Sequence, residues 1–143
     1  RVLPVASTTE GIAVTPDGAE VWMGSNSLGT VSVLDITTGS VVATITGFRF
    51  PYRLGISDDG RTAVIVDPQS DAAFVVDVAL RTIRGRIDGL GSPRGVSIAS
   101  DSKTAMITSA GDSSVILVDL ITLKEIRRFP VGSSPDGVGY VTP

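Results

Sequence analysis

A repeat of 42 residues constrains the fold of this chain more than any other feature. Asp35, Asp77 and Asp119 each follow an apolar run and are equally spaced, 42 residues apart. The same step separates two further sets, which are Asp17, Asp59 and Asp101, and Pro51, Pro93 and Pro135. Within each period, four short apolar runs are bounded by turn residues, which favours four β-strands. A period of this length with four strands is typical of a β-propeller blade.

The strands of each repeat are predicted to run from a buried inner strand to an exposed outer strand. The third strands read VSVL, AFVV and VILV, and such continuous apolar runs indicate a sheet that is covered on both faces. The fourth strands of the second and third repeats carry Arg and Lys, which discourage edge-to-edge pairing at an outer edge. The predicted fold class is therefore all-β, with β-propeller blades of four antiparallel strands.

The 143 residues are predicted to form a single partial β-propeller. Three full 42-residue repeats cover about residues 11–52, 53–94 and 95–136. Residues 1–10 are expected to supply an outer strand, and residues 137–143 an inner strand, of two partial repeats. Because a propeller needs about four to eight blades to close, three blades would leave apolar faces open. We expect the remaining blades in a longer chain, with self-association of copies through the open faces as the second possibility.

Composition excludes several classes of chemistry. The sequence contains no Cys and no His, which removes thiol nucleophiles, disulfides, thiolate metal sites and imidazole bases. The net charge of −3 argues against a nucleic-acid partner, which would require a basic patch. No apolar run approaches the ~20 residues of a membrane span. Neither a cofactor, nor a metal, nor a membrane span is predicted.

The first repeat resembles a known propeller repeat. The matching elements are the PDG turn at residues 16–18, an aromatic-containing second strand at residues 21–23, Asn26, the TVSVLD strand at Thr30–Asp35 and TGSVVATI at residues 38–45. Together they resemble the YVTN-family β-propeller repeat of bacterial and archaeal proteins. The resemblance is weaker in the other two repeats, where DDG and SDS replace PDG. It implies an extracellular, periplasmic or cell-surface propeller, and it transfers no catalytic residues because the family's repeat carries no catalytic motif.

One loop is unusual enough to suggest a binding site. Residues 47–53 read GFRFPYR, whereas the equivalent loops read GLGSPRG and VGSSPDG. Exposed aromatic side chains beside Arg suit an anionic or planar ligand, or a protein hot spot. The candidate binding residues are Phe48, Arg49, Phe50, Tyr52, Arg53 and Arg94. In the alternative interpretation, Phe48 and Phe50 fill the gap between two blades, Arg49 is solvated, and Arg53 and Arg94 pair with Glu10 and Asp136 at little net gain.

The recurring Asp residues have a structural interpretation and a functional one. Carboxylates repeated at one position could form a ring for a metal ion. An Asp at the start of a turn also accepts backbone N–H bonds from that turn, and this interpretation is favoured. The predicted structural turn residues are Asp17, Asp35, Asp59, Asp77, Asp101 and Asp119.

The sequence indicates function only weakly. The favoured hypothesis is a non-enzymatic binding or scaffold propeller outside the cytoplasm, whose loop face meets a protein or a small polar ligand. The alternative is part of a propeller enzyme, lactonase-like or a quinone- or haem-dependent oxidoreductase, whose catalytic residues lie outside this segment.

Overall fold

A computed structural model shows twelve β-strands and no helix in the residues that it describes, which are Val2 and residues 5–141. In chain order the strands are β1 Thr9–Val14, β2 Glu20–Ser25, β3 Thr30–Asp35, β4 Val41–Ile45, β5 Arg53–Ile56, β6 Thr62–Asp67, β7 Ala72–Asp77, β8 Thr82–Asp88, β9 Pro93–Ile98, β10 Thr104–Ser109, β11 Ser114–Asp119 and β12 Lys124–Pro130. The twelve strands agree with the predicted four strands in each of three repeats. The predicted all-β fold class is confirmed.

The strands form three antiparallel sheets of four, each made of consecutive strands joined by short turns. The first sheet runs β1-β2-β3-β4, the second β5-β6-β7-β8 and the third β9-β10-β11-β12. The three inner strands contact one another, β1 against β5 and β5 against β9. A Cβ on Gly11 of β1 would lie 2.7 Å from the carbonyl oxygen of Tyr52, so these inner segments approach closely. This is the arrangement of blades around a propeller axis.

The two interfaces between the sheets use the same positions of the repeat. The first core cluster contains Trp22, Val31, Val33, Ala63, Ile65, Phe74 and Val76. The second contains Val64, Ala73, Val75, Ala105, Ile107, Ile116 and Val118, each 42 residues after its counterpart in the first. The period seen in the sequence is therefore the period of the packing, since each sheet presents equivalent side chains to the next sheet.

The second sheet explains why the two middle strands of a blade lack polar alternation. All six residues of β6 are buried. Because successive side chains point to opposite faces of a strand, Ile65 enters the first core cluster while Val64 enters the second. Both faces of this sheet are dry, so both sets of side chains must be apolar.

Turn geometry follows the repeat even where the residue type does not. Gly39, Arg81 and Leu123 share one position between the third and fourth strands, and their φ angles are 74°, 55° and 59°. Glycine adopts this left-handed region at little cost, whereas Arg and Leu adopt it only when the surrounding structure compensates. The packing of the blades therefore determines the turn conformation more strongly than the local residue does.

The two partial repeats contribute no strand of their own in the described residues. Residues 5–8 precede β1, and residues 137–141 follow β12 without strand hydrogen bonding. A strand forms by pairing with a neighbour, and no further strand of either partial blade is present in the described part of the chain. The carbonyl of Asp136 nevertheless accepts the Thr108 hydroxyl at 3.1 Å, so this segment lies beside the third sheet. Arg1, Leu3, Pro4, Thr142 and Pro143 lie outside the described residues.

Candidate functional site

The connections between strands lie on two opposite faces. The loop face carries the connections from second to third strands and from fourth strands to the next blade, which are residues 26–29, 46–52, 68–71, 89–92, 110–113 and 131–136. Contacts such as Gly111 N–H to Gly91 carbonyl oxygen, 2.8 Å, join these loops. The remaining turns form the turn face, where Ile36 N–H donates to the Ala19 carbonyl at 2.9 Å.

Asp67 fixes the unusual loop at residues 47–53. Its side chain is fully buried, and Oδ2 accepts the backbone N–H groups of Arg49 and Phe50 at 2.7 and 2.9 Å. Its Oδ1 accepts the N–H of Ser70 at 2.9 Å, which ties the loop after β6 to the same carboxylate. The equivalent positions in the other repeats are Ser25 and Ser109, whose hydroxyls donate to single carbonyls. The Asp at this position therefore supports a loop that the other two repeats lack.

The candidate loop divides between core and surface. Phe48 is 8% exposed and belongs to the first core cluster, where its ring meets Phe74 edge-on at 5.0 Å between centroids. Phe48 therefore packs between two blades and does not face a ligand, as the alternative interpretation of the sequence had it. Arg49 is exposed, and its guanidinium donates to the Gln69 carbonyl at 3.4 Å.

The remaining candidates converge on Tyr52. Phe50 stacks on Tyr52 with ring centroids 6.1 Å apart and an interplanar angle of 22°. The guanidinium carbons of Arg53 and Arg94 lie 5.1 and 5.9 Å from the Tyr52 ring centroid. Cations at these distances are attracted by the ring, by about 0.5–1 kcal/mol at an exposed site. Phe50, Tyr52, Arg53 and Arg94, predicted from one loop and one distant position, thus form a single cluster.

A repeat relation explains how these residues meet. Glu10, Tyr52, Arg94 and Asp136 occupy the same position in successive repeats, 42 residues apart. With Arg53 they form what is here named the axial cluster, at the point where the inner strands begin. Sequence reasoning recognised this position for Glu10, Arg94 and Asp136 but missed that Tyr52 shares it.

The axial cluster holds paired and unpaired charges. Arg53 contacts Asp136 through a 2.8 Å Nη2–Oδ2 ion pair and a 3.0 Å bond to its carbonyl oxygen. The Glu10 carboxylate accepts the Asn26 amide at 2.8 Å. Burial, and then a hydrogen bond with Glu10, raise the pKa of the Tyr52 hydroxyl above 10.0. Arg94 is exposed and has neither a hydrogen bond nor an ion pair within the described residues. Its guanidinium is therefore available to an anionic group.

A cleft of about 210 Å³ opens beside this cluster, between the inner strands. It is lined by Glu10, Gly11, Ile12, Arg53, Leu54 and Val96. Aliphatic residues with a few charged ones are a usual lining of a small-ligand pocket, although this cleft is smaller than most such pockets.

The six recurring Asp residues accept hydrogen bonds within their own turns. Asp59 is typical, since its Oδ1 accepts the Ser57 hydroxyl at 2.6 Å and the Arg61 N–H at 3.0 Å. These two hydrogen bonds hold the pKa of Asp59 below 3.8. Hydrogen bonds from their turns likewise lower the pKa of Asp17, Asp35, Asp101 and Asp119. Among the described residues, no three Asp or Glu side chains come together as a metal site.

A further cavity lies on the turn face, where sequence reasoning placed no site. It has about 350 Å³ and lies between the first two blades, with Asp17, Glu20, Asp59 and Arg81 in its walls. Glu20 and Arg81 form an ion pair across the two blades, and Glu20 also accepts the indole N–H of Trp22 at 3.0 Å. The carboxylates of Asp17, Glu20 and Asp59 in this lining already accept hydrogen bonds from protein groups, which favours the loop face as the binding face.

Comparison with solved structures identifies the fold. The chain is similar to Kuenenia stuttgartiensis hydrazine synthase, with a TM-score of 0.86 and 21% identity over 96% of this chain and 40% of that chain. It is also similar to U3-55K, with a TM-score of 0.84 and 14% identity over 91% of this chain and 42% of the other. This chain thus spans less than half of either relative. No family model matches the sequence, and no curated protein does. Identities this low show the fold alone, which is that of β-propeller blades. Within the described residues no helix could cross a membrane.

Proposed function

We propose that this chain is part of a non-enzymatic, extracytoplasmic propeller that binds a protein or a small polar ligand through its loop face. The observation that carries the proposal is the Phe50–Tyr52 stack flanked by Arg53 and by Arg94, whose guanidinium has no hydrogen bond or ion pair within the described residues. Stacked aromatic side chains and Arg are the residue types that contribute most to binding at hot spots. Phe50 and Tyr52 lie in the loop that the buried carboxylate of Asp67 holds in place.

The remaining parts of the proposal have separate support. The resemblance of the first repeat to the YVTN-family repeat supports membership in that family and a location outside the cytoplasm. The open outer faces of the first and third blades support a larger ring, completed by further blades of the same chain or by other copies. The boundaries of the single partial propeller, with repeats at about 11–52, 53–94 and 95–136, belong to the same proposal.

Replacing Arg94 and Phe50 tests the proposed binding face. We expect Arg94→Ala and Phe50→Ala to weaken binding at least tenfold, because each removes a group that faces the ligand. The measurement is an NMR titration with benzoate, a planar anion, and with a short acidic peptide. Both changes affect exposed or half-buried side chains, so the unfolding free energy should change by about 0.5 kcal/mol or less for Arg94→Ala.

A matched control separates binding at this cluster from general attraction of anions. Arg127→Ala removes another exposed Arg that lies over an aromatic ring, Phe129 at 4.8 Å, but at the outer rim. We expect this variant to bind as the wild type does. Binding that persists in Arg94→Ala, or that falls equally in Arg127→Ala, would contradict the proposed site.

A further inference from the structure

The outer strand of the first blade lacks the charges that its two counterparts carry. Strand β8 reads TIRGRID and β12 reads KEIRRFP, whereas β4 reads VVATI. The difference lies at equivalent positions of the repeat. Val42 stands where the second blade has Arg84, and Thr44 stands where the other blades have Arg86 and Arg128.

The free edge of β4 is exposed. In the described part of the chain β4 pairs with β3 on one side and with no strand on the other. Val41 and Val42 are 49% and 45% exposed. An edge strand presents unpaired backbone N–H and C=O groups, and natural proteins usually protect such edges with charged side chains, Pro or a bulge.

All three outer strands contain a β-bulge, so a bulge does not distinguish their edges. Each outer strand has one extra residue at the same repeat position, which is Val42, Arg84 or Ile126. Charge is therefore the protection that β8 and β12 have and β4 lacks. Strand β12 also ends in Pro130, which has no N–H to donate.

Self-pairing would be opposed by charge at two of the edges and not at the third. If β8 paired antiparallel with a second copy about Gly85, Arg84 of each copy would face Arg86 of the other. If β12 paired in this way about Arg127, that residue would face itself. Like charges directly opposite each other destabilise a sheet.

Antiparallel pairing of β4 with β4 of a second copy brings no like charges together. Pairing about Ala43 sets Val41 opposite Ile45 and Val42 opposite Thr44, with no ionisable group in the strand. These are uncharged, mostly β-branched side chains, which favour strand pairing. The two-fold arrangement is self-complementary, as an interface between identical copies must be.

We propose that β4 is a dimerisation edge, which pairs antiparallel with β4 of a second copy of this chain. The backbone hydrogen bonds of the added strand would supply affinity, and the exposed valines would supply contact area. The first sheet would then continue across the dimer as eight strands. This contact is separate from the loop face and from the open faces of the blades, so it can form whether or not the ring is completed.

The test is the mass of the full 143-residue chain in solution, measured by light scattering after gel filtration over a series of concentrations. We expect the wild type to approach twice 14.8 kDa as concentration rises. Val42→Arg/Thr44→Arg gives β4 the arginines that the second blade carries at these positions, so the fold should accept them. This variant should remain a monomer at concentrations where the wild type is a dimer.

Two further variants keep the test decisive. Ile126→Arg adds charge at the same repeat position of β12, where 52% of the residue is exposed, and should leave the dimer intact. Thr44→Arg alone should weaken the dimer at least tenfold. It replaces the double variant in the mass measurement if circular dichroism shows that the double variant is unfolded. A wild type that stays monomeric, a dimer that survives both β4 variants, or capture of another protein's strand at β4 would overturn the proposal.

Discussion

At the scale of single residues, the structure repeats one arrangement of backbone donors around a carboxylate. Asp35, Asp77 and Asp119 each accept an N–H from the turn that follows, at 2.7 or 2.8 Å. Their role could be inferred from sequence because Asp is a common turn initiator and the spacing was regular. The bonds are local, so the residue type and its neighbours were enough to suggest them.

Five turn carboxylates whose pKa is lowered in the fold make stability depend on acid; they are Asp17, Asp35, Asp59, Asp101 and Asp119. A carboxyl group whose pKa is lower in the folded chain than in the unfolded chain stabilises the fold above its ordinary pKa of 3.8, and this contribution is lost as the pH falls further. We expect the urea midpoint to fall between about pH 4 and pH 2, and to fall less in Asp59→Asn. The control is Asp58→Asn, since Asp58 accepts no hydrogen bond within the described residues. An equal acid response in wild type and Asp59→Asn would contradict this account.

Contacts between residues distant in sequence were harder to predict. The approach of Arg94 to Tyr52, and of Arg53 to Asp136, depends on how the inner strands meet at the axis. The common repeat position of Tyr52 and Glu10 was available in the sequence and would have indicated their proximity. The distances and the pairing of charges were not available, because they depend on side-chain orientation.

At the scale of elements, strands were predicted well and loops less well. The alternation of apolar runs and turn residues located all twelve strands, since strand formation here follows a local pattern. The residue 47–53 loop was recognised as unusual, and the alternative interpretation placed Phe48 between the blades and Arg49 in solvent. The division between buried Phe48 and Phe50, which stacks on Tyr52, was not recognised. That division depends on Asp67, which lies at the end of β6. Its carboxylate accepts backbone N–H groups of the loop and forms no ion pair within the described residues.

Removing the buried carboxylate should therefore loosen the candidate binding loop. Asp67→Ala leaves the N–H groups of Arg49 and Phe50 without their acceptor, whereas the Ser70 N–H keeps the Asp67 backbone carbonyl at 3.2 Å. We expect a loss of about 1–3 kcal/mol in unfolding free energy, because each unsatisfied buried donor is costly. Chemical denaturation measures this loss, and hydrogen exchange at Phe50 should become faster.

Ser109→Ala is the matched control at the equivalent position of the third repeat, because it removes a hydroxyl that donates to the Gly91 carbonyl at 2.9 Å and accepts the Asp112 N–H at 3.3 Å. It should cost about 0.5–1.5 kcal/mol and leave exchange at Phe50 unchanged. A smaller loss in Asp67→Ala than in Ser109→Ala would contradict the role assigned to the carboxylate.

At the scale of the whole molecule, the 42-residue period determines which faces of the sheets touch. Nine positions of the repeat are common to both core clusters, and the residue type changes at four of them, from Trp22 to Val64, Val31 to Ala73, Phe48 to Leu90 and Phe74 to Ile116. Such packing needs only apolar side chains of suitable size, so the fold persists at 21% and 14% identity to the propellers it resembles. Because many apolar sequences satisfy this packing, the repeat pattern predicts the fold but does not identify a ligand.

Methyl NOE spectroscopy on the middle sheet tests the packing of the blades most directly. Ile65 and Val64 are neighbours in β6, yet the structure places them in different cores. We predict NOEs from the Ile65 methyl groups to Trp22 and Val31, and from the Val64 methyl groups to Ile107 and Ile116. NOEs to another sheet from only one of the two residues, as in a sandwich of two sheets whose alternate side chains face solvent, would contradict the propeller arrangement.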